Sequence, residues 1–474
     1  MYRRLRRIKV RGTPNQRKAG FRGPDRTAPL DGGWCDFDTW IMRTPFLPGL
    51  AVLLAAGCLL PLLATPEAIA GPEGGTAVLR TLELSRVEGA LTALDATSVT
   101  LTDKAGTART FPLTETIGIT FPAEVVRRAK GLHVRAHLTD GSTLHGRLAG
   151  GDEDILRLET EALGTVEVLL DYLRTIEALP REVSPCHDTA SLHPRAEDGD
   201  IAYDTDEDEF RGTALEVNNE GVVLETAGKR ERTVAWTSLR VLHLENDVAP
   251  QPKGLWAEIE LHDGSRLRTT TAPALESGSF VFRLQAMGKK ERRVALAQTR
   301  AVRWYGGRFV YASNLPFEAK REGEFRELAD PDGDKSIWFA TRTDRRVSGC
   351  PLRIGGETFR HGFGVQSKST ITINLDGKFA SFRSAFGIDD EVLAEAGTSK
   401  HRGNVDARIL GDGKELWKAK DVVGGQKARS VGPLDVTGVK VLVLEVGFGK
   451  AEFGRMGTFD RADWGDPILV KSTK

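Results

Sequence analysis

Two short runs of residues in the C-terminal third carry side chains that could bind a ligand or an ion. In the first run, Trp464 lies between Asp463 and Asp466. An aromatic face packs on the apolar C–H face of a sugar ring and carboxylates accept hydrogen bonds from its hydroxyl groups, so these types together could hold a sugar. Alternatively, Trp464 fills the edge of a core and both Asp side chains cap a turn. The sequence leaves both roles open.

The second run is Asp389, Asp390 and Glu391. Three successive carboxylates repel one another unless a cation or several backbone donors compensate them. Carboxylate oxygens are the ligands that calcium prefers in proteins, so these residues could hold a structural Ca²⁺. The alternative is a turn whose acidic side chains are solvated.

Short strands are the elements predicted to position these residues. The chain contains 51 Gly and 21 Pro and few long apolar periodic runs, a pattern typical of many strands joined by turns. Residues 370–375 alternate between polar and apolar side chains and then reach an Asp-Gly turn. Val439, Val441, Val443 and Val446 supply the apolar side of another strand. The sequence therefore predicts a mostly β chain of two to four domains.

An internal duplication precedes this region. The pattern Lys130-Gly131-Leu132 followed by Asp140-Gly141-Ser142 recurs 123 residues later, which predicts two β copies, over 76–179 and 210–308. Each copy divides into two small units that are similar to SH3-like or Sm-like barrels in their strand, Asp-Gly, strand pattern. The polar, acidic range 180–209 between the copies is predicted to be a linker. The duplicated modules could act as a spacer or as a platform for envelope proteins.

The most apolar stretch of the chain predicts its compartment. Residues 42–70 begin with Met42-Arg43, continue through an apolar segment and close with Ala68-Ile69-Ala70, as a secretory signal does. We therefore expect translation to start at Met42, with residues 1–41 as upstream sequence or a disordered cationic tail, and the protein to be exported. A membrane-spanning helix is the alternative. Of the four cysteines, Cys186 and Cys350 follow the leader and could form one bridge or remain free thiols.

Composition and missing motifs narrow the function. The 66 basic and 66 acidic residues give a net charge of zero, so the strong positive field of a nucleic-acid-binding protein is absent. The sequence contains none of the common serine hydrolase, zinc protease or P-loop signatures. We therefore expect a non-enzymatic protein that does not bind nucleic acid. A glycosidase remains an alternative, because the separation of its paired carboxyl groups is a property of the fold.

Residues 309–474 contain a series of motifs in a recognisable order, namely 352-LRIGGETF-359, 361-HGFGVQS-367, 387-GIDDE-391, 411-GDGKELW-417 and 462-ADWGDP-467. Their order and spacing resemble the NPCBM/NEW2 family of carbohydrate-binding modules. The resemblance implies a galactose-binding-like jelly-roll β-sandwich that binds a polysaccharide or another glycan. Together with Trp464, Asp463 and Asp466, Gln366 is a candidate for sugar binding, although it stands at a position where the family usually carries His, so a histidine contact does not carry over. Trp338 is a further candidate, as sugar platform or core residue, and nearby His361 is expected at the surface.

Two hypotheses follow from these observations. In the first, an exported, non-catalytic protein binds cell-surface or environmental polysaccharide through its C-terminal module. In the second, the whole chain is a structural or protein-interaction component of the cell envelope, with the sandwich used for packing.

Overall fold

The computed structural model describes residues 76–122, 130–179, 193–287, 290–321, 340–396, 402–450 and 459–472. Four of the sequence predictions fall wholly or partly outside these residues: the upstream segment 1–41, the signal segment 42–70, Trp338, and residues 180–192 of the linker. Within the described residues, no helix has the length and apolarity that crossing a membrane requires.

Residues 76–305 form four β units, which we name A to D. Unit A contains β1 (Thr76–Thr81), β2 (Arg86–Leu94), β3 (Ser98–Thr102), β4 (Ala108–Pro112) and β5 (Thr116–Thr120). Unit B contains β6 (His133–Leu138), β7 (Thr143–Gly151), β8 (Ile155–Thr160), β9 (Gly164–Leu169) and β10 (Leu173–Leu179). Unit C contains β11 (Asp200–Asp204), β12 (Glu209–Val217), β13 (Gly221–Thr226), β14 (Arg230–Ala235) and β15 (Leu239–His243). Unit D contains β16 (Trp256–Leu261), β17 (Arg266–Arg268), β18 (Ala274–Glu276), β19 (Ser279–Arg283), β20 (Glu291–Ala295) and β21 (Thr299–Tyr305).

The first three units share one strand order. In each, the first four strands pair in sequence and the fifth returns to the first, all antiparallel. Unit D keeps the pairing of its first strand with its last, while β18, β19 and β20 form a separate sheet. Whether these units belong to the SH3-like or Sm-like subtype stays a prediction.

The units are joined by their last strands. Strand β5 of unit A pairs with β21 of unit D, and β10 of unit B pairs with β15 of unit C. Strand β7 adds a single pairing to β17 between units B and D. One apolar core accordingly runs through all four units, since its buried side chains come from every one of them, from Leu79 and Val134 to Leu242 and Ile259.

The described part of the predicted linker is ordered into the sheet. Residues 200–204 form β11, which pairs with both β12 and β15. The acidic string that follows is a tight turn, because the Asp204 carboxylate accepts hydrogen bonds from the backbone N–H groups of Asp206 and Asp208 at 2.9 and 3.0 Å. The acidic composition therefore reflects turn chemistry at this position.

Residues 309–471 form a sandwich of two antiparallel sheets. Its elements are β22 (Phe309–Tyr311), β23 (Phe317–Arg321), β24 (Arg342–Thr343), β25 (Leu352–Ile354), β26 (Glu357–Phe359), β27 (Gly362–Gln366), β28 (Ser369–Asn374), β29 (Phe379–Ile388), α1 (Glu391–Ala396), β30 (Asn404–Gly411), β31 (Lys414–Val423), β32 (Arg429–Asp435), β33 (Val441–Phe448) and β34 (Arg461–Lys471). One sheet has the order β24-β27-β34-β29-β32, with β22 also paired to β34. The other has the order β23-β28-β33-β30-β31.

Strand alternation explains the core between these sheets. Ile371 and Ile373 of β28 are buried, as their alternation with threonine predicts. On β33 the buried side chains are Leu442, Leu444 and Val446, so Val441 and Val443 face the other way from the expected apolar side. The prediction of a mostly β chain with a C-terminal β-sandwich is confirmed.

A buried seam joins the sandwich to units A and D. Its apolar part combines side chains from both regions: Leu82, Ile117, Trp256, Tyr305, Phe309, Tyr311, Ile468 and Val470. His361 lies in this seam with only 5% of its surface exposed, which corrects the prediction of a surface residue. Its Nε2 lies 2.7 Å from the Tyr305 hydroxyl and its Nδ1 lies 3.1 Å from an Asp344 carboxylate oxygen, while its ring stacks on Tyr311. The hydrogen-bond chain thus links β21 of unit D to the sandwich.

A buried ion cluster reinforces the seam. Glu258 of β16 is 1% exposed, with its carboxylate oxygens 3.4 Å from Nε of Arg360 and 3.5 Å from Nε of Arg268. Burial alone would raise the pKa of Glu258, but the positive charges of Arg360 and Arg268 outweigh burial and lower it to about 2. Glu258 is therefore ionised at every physiological pH and attracts the sandwich through Arg360.

Glu258→Gln is expected to destabilise the folded chain by about 3 kcal/mol, because it leaves two partly buried guanidinium groups without their countercharge. The measurement is the free energy of unfolding in urea at pH 7. Glu167→Gln is the matched control: Glu167 is exposed and pairs only with Arg157, so its removal should change stability by less than about 1 kcal/mol. Equal stability of the two variants would contradict a role for Glu258 in the seam.

Candidate functional site

The sandwich has one end at which strands of both sheets stop, which we name the loop end. Strands β27, β29 and β33 stop there, at Gln366, Ile388 and Phe448, and the pairing registers place the end of β23, at Arg321, beside them. The connections that follow in the sequence span 322–341, 389–403 and 449–460. The opposite end carries short turns such as 375–378 and 412–413. Connections on a rigid scaffold commonly carry binding residues, so the loop end is the candidate site.

A cluster of buried carboxyl groups and arginines underlies the loop end. Arg346 bridges two carboxylates, with Nη1 3.1 Å from Asp389 Oδ1 and Nε 3.0 Å from Glu391 Oε2. Arg461 approaches the other Glu391 oxygen at 3.1 Å, and the Ser348 hydroxyl donates a hydrogen bond to Glu391. Asp389 and Glu391 therefore have their countercharges from the protein itself.

Asp463 completes this cluster as a third buried carboxyl group. The backbone N–H of Arg353 is shared between Asp389 Oδ2 at 3.0 Å and Asp463 Oδ2 at 3.3 Å, which brings the two carboxyl groups together. Burial, and after it the negative charge of Asp389, raises the pKa of Asp463 well above its usual value. A proton on Asp463 is therefore favoured, and it would let Asp463 donate a hydrogen bond to Asp389.

The predicted calcium site is not supported by this geometry. Asp389 and Glu391 pair with arginines, and Asp390 points elsewhere, accepting hydrogen bonds from the N–H groups of Gly355 and Gly356 at 2.7 and 2.8 Å. Asp390 thereby fixes the hairpin turn between β25 and β26. Across the ranges the structure describes, no group of three His, Cys, Asp or Glu side chains could hold a metal ion. The backbone donors and guanidinium groups take the role the sequence assigned to a cation.

The predicted stacking role of Trp464 does not agree with its burial. Its side chain is 0% exposed and lies between the two sheets, 4.4 Å from the ring of Phe386 and 5.9 Å from that of Trp417, measured between centroids. A sugar could reach Trp464 only by displacing these core side chains. The structural alternative, in which Trp464 fills the core, fits the geometry.

The three residues that the sequence grouped together lie in three different environments. Because successive side chains of a strand point to opposite faces, Asp463 faces the hairpin while Trp464 faces the core. Asp466 has a positive φ of 41° and turns toward the seam, where it accepts a hydrogen bond from Arg80 at 2.5 Å. Asp463 and Asp466 are 1% and 7% exposed, so neither offers a free carboxylate to a ligand.

Gln366 is the one predicted binding residue within the described chain that lies at the loop end, although it is 1% exposed. It pairs with Arg461 across β27 and β34, directly above the carboxyl cluster. Trp338, in the connection 322–341, lies outside the described residues.

Phe448 and Lys368 form an aromatic and cationic pair at the loop end that the sequence did not single out. Phe448 is half-buried at the end of β33, and the Lys368 ammonium lies 5.3 Å from its ring centroid. Phe448 continues the inward alternation of Leu442, Leu444 and Val446 to the edge of the core. This alternation could have identified Phe448 from the sequence, because an aromatic side chain at the last inward position of a strand lies at the rim of the core. Such a ring can pack on a sugar, with the ammonium donating to its hydroxyl groups.

Trp464→Ala is expected to cost about 3–5 kcal/mol of stability, since it empties a large volume in a closed core. Trp417→Ala, at a half-buried neighbour on β31, should cost less. Urea unfolding of both variants provides the measurement. A Trp464→Ala protein of undiminished stability that has lost glycan binding would restore the stacking role.

Comparison with protein families gives one match, over the sandwich. Residues 309–470 match the model of the NPCBM/NEW2 domain. In solved structures, similarity extends to a CBM51 module from Clostridium perfringens GH95 in complex with methyl-galactose, at 22% identity, 34% of this chain, 99% of that chain and a TM-score of 0.26. Tandem CBM51 modules of a family 98 glycoside hydrolase from Streptococcus pneumoniae align at 11% identity, 72% and 88% coverage, and a TM-score of 0.27.

Two curated relatives match about a quarter of the chain. One is named as an endo-alpha-N-acetylgalactosaminidase of Renibacterium salmoninarum, 28% identical over 124 residues, which are 26% of this chain and 7% of that protein. The other is alpha-1,3-galactosidase B of Akkermansia muciniphila, 28% identical over 129 residues, 27% of this chain and 15% of that protein. The chain thus spans only a small part of either relative. The motifs, the two-sheet fold and the family match thus agree that the C-terminal third of this chain, residues 309–470, matches the NPCBM/NEW2 domain.

Proposed function

We propose that this chain is an exported, non-catalytic protein that binds glycans through the loop end of its C-terminal sandwich. The observation that carries the proposal is the match of residues 309–470 to a carbohydrate-binding module family on a sandwich several of whose strands stop at one end. Phe448 and Lys368 supply an aromatic face and a hydrogen-bond donor at that end.

The proposed ligand class is a glycan with galactose or N-acetylgalactosamine residues. Both curated relatives are named for enzymes that act on such residues. The segments they share with this chain make up 7% and 15% of their lengths, a proportion that suits an accessory module.

The environment of the acidic residues favours binding over hydrolysis. A glycosidase needs two carboxyl groups that flank the scissile bond and are open to the substrate. Asp389, Glu391 and Asp463 are buried and committed to arginines or to one another. The role we propose for them is to hold the hairpin and α1 beneath the loop end.

Phe448→Ala is expected to weaken glycan affinity at least tenfold, which corresponds to about 1.4 kcal/mol, because it removes the aromatic face. Phe111→Ala is a matched control: Phe111 on β4 is also half-buried and lies 5.4 Å beneath a cation, Arg109, but on unit A. The purified full chain and both variants are titrated on a glycan array, followed by calorimetry with the best galactoside.

Each other outcome of this experiment selects a different function. Absence of saturable binding to any glycan would favour the second hypothesis, a structural or protein-interaction component, for which the extensive seam with units A and D is the supporting observation. Cleavage of a labelled glycan by the purified chain would make it a glycosidase. Equal weakening by Phe111→Ala would move the binding site away from the loop end.

The duplicated β region is proposed to serve as a spacer or as a platform for envelope proteins.

Export is a separate part of the proposal. When the full gene is expressed in a bacterial host, we expect the protein outside the cytoplasm with Gly71 as its first residue. Ala70→Arg should block processing, because the cleavage site requires small residues, whereas Ala64→Ser should be processed normally. Retention of the unaltered chain in the cytoplasm would overturn this part.

A further inference from the structure

A short segment of chain lies across the junction of units B and C. Residues 193–199, which we name the strap, precede β11 and cross strands β10, β11 and β15. Ala196 of the strap packs on an apolar cluster of Ile201, Tyr203 and Val241, which the strap covers. The Tyr203 hydroxyl donates a hydrogen bond to the Pro194 carbonyl at 2.7 Å, and Tyr203 is 3% exposed.

Polar contacts of the strap converge on one buried histidine. His243 of β15 is 4% exposed, and its Nε2 lies 3.0 Å from the His193 carbonyl oxygen, so Nε2 carries a hydrogen and donates it. Its Nδ1 accepts hydrogen bonds from the Thr175 hydroxyl at 3.0 Å and from Arg195 Nη1 at 3.3 Å. These contacts require a neutral imidazole, because Nε2 donates a hydrogen bond while Nδ1 accepts.

Arg195 fastens the strap to the sheet beside this histidine. Its guanidinium donates to the carbonyl oxygens of Arg174 and Leu244, each at 2.8 Å. A proton on Nδ1 of His243 would place a second N–H and a positive charge against Arg195. The histidine ring and the guanidinium would then both be donors, and at least one of the two would have to move.

Among the residues that the structure describes, no free carboxylate near His243 is placed to compensate such a proton. The groups that face it are Arg195 and His193 from the strap, Tyr203 and Asp200 from β11, and His137 from β6. Asp200 accepts hydrogen bonds from the backbone N–H groups of Ala214 and Glu245. Of the carboxylates beyond these groups, Glu207 is bonded to His193 and Glu177 to His137 and Arg135.

We infer that the strap, residues 193–199, is a proton-gated latch, closed on the β10, β11 and β15 surface while His243 is neutral and released when His243 takes up a proton. Release uncovers the apolar patch of Ile201, Tyr203 and Val241. The segment thereby makes this face of the β region responsive to acid.

The electrostatics give the pH range. Burial, and after it the charge of Arg195, lowers the pKa of His243 from 6.5 to about 4 in the closed state. A group whose pKa is lower in the closed state favours closure fully above pH 6.5, and this contribution is lost as the pH falls from 6.5 to about 4. Relative to neutral pH, the ratio of closed to released strap falls by about 30-fold at pH 5 and by about 300-fold in total well below pH 4.

Hydroxyl-radical footprinting of the full chain with mass spectrometry tests this inference through the oxidation rate of Tyr203. We expect that rate to rise severalfold from pH 7 to pH 5, while buried Tyr311, in the seam, serves as an internal reference and does not change. In His243→Gln the rate should stay low at both pH values, because the Gln amide can donate to His193 and accept from Arg195 without titrating. His262→Gln, in the turn that follows β16 of unit D, is the matched control and should respond as the unaltered chain does.

Protection of Tyr203 in the unaltered chain at pH 5 would overturn the inference, as would an equal rise in His243→Gln. If His243→Gln leaves Tyr203 oxidised already at pH 7, Thr175→Val decides. It removes the hydroxyl that donates to Nδ1 of the neutral ring, so the midpoint of the transition must move to higher pH. An unchanged midpoint would exclude His243 as the titrating group.

Discussion

The alternation of side chains along β34 is the constraint on which the arrangement of the sandwich depends. This strand pairs with β29 along its whole length and, on its other edge, with β27 along one half and β22 along the other, so it is central in its sheet. Its neighbours in sequence consequently serve opposite faces. Trp464 closes the core, Asp463 holds the hairpin on the outer face, and Asp466 reaches the seam to bond Arg80. A change at β34 would therefore affect the core, the loop end and the seam together.

Two clusters of buried carboxylates, around Glu258 and Asp389, follow the same rule. A carboxylate removed from water needs a countercharge or several donors, and both clusters supply them from nearby arginines or backbone N–H groups. Glu258 has Arg360 and Arg268, and Asp389 has Arg346. These pairs define where the hairpin and the sandwich can lie, because an arginine placed elsewhere would leave a carboxylate uncompensated.

Units B and D carry opposite charges at corresponding positions of their first and last strands. In unit B, Arg135 of β6 lies opposite Glu177 of β10, whereas in unit D, Glu258 of β16 lies opposite Arg303 of β21. Glu258 on β16 forms an ion pair with Arg360 of the sandwich. On β6 the same position is an arginine, and the junction of units B and C is instead covered by the strap. Units B and D thus pair their first and last strands in the same way but present different surfaces, one covered by the strap and the other by the sandwich.

The sequence alone determined the fold class and the family, because alternation, Asp-Gly turns and ordered motifs are local properties of the chain. Ile371 and Ile373 were assigned to the core on this basis, and residues 309–470 match the expected family. Only the tertiary structure decided the roles of Asp389 and Trp464, and the position of His361. Whether a carboxylate meets calcium or an arginine, and whether an indole meets a sugar or a second aromatic ring, depends on partners distant in sequence. Arg346 and Phe386 reach these residues only when the strands pair, and the local spacing of residues does not predict that pairing.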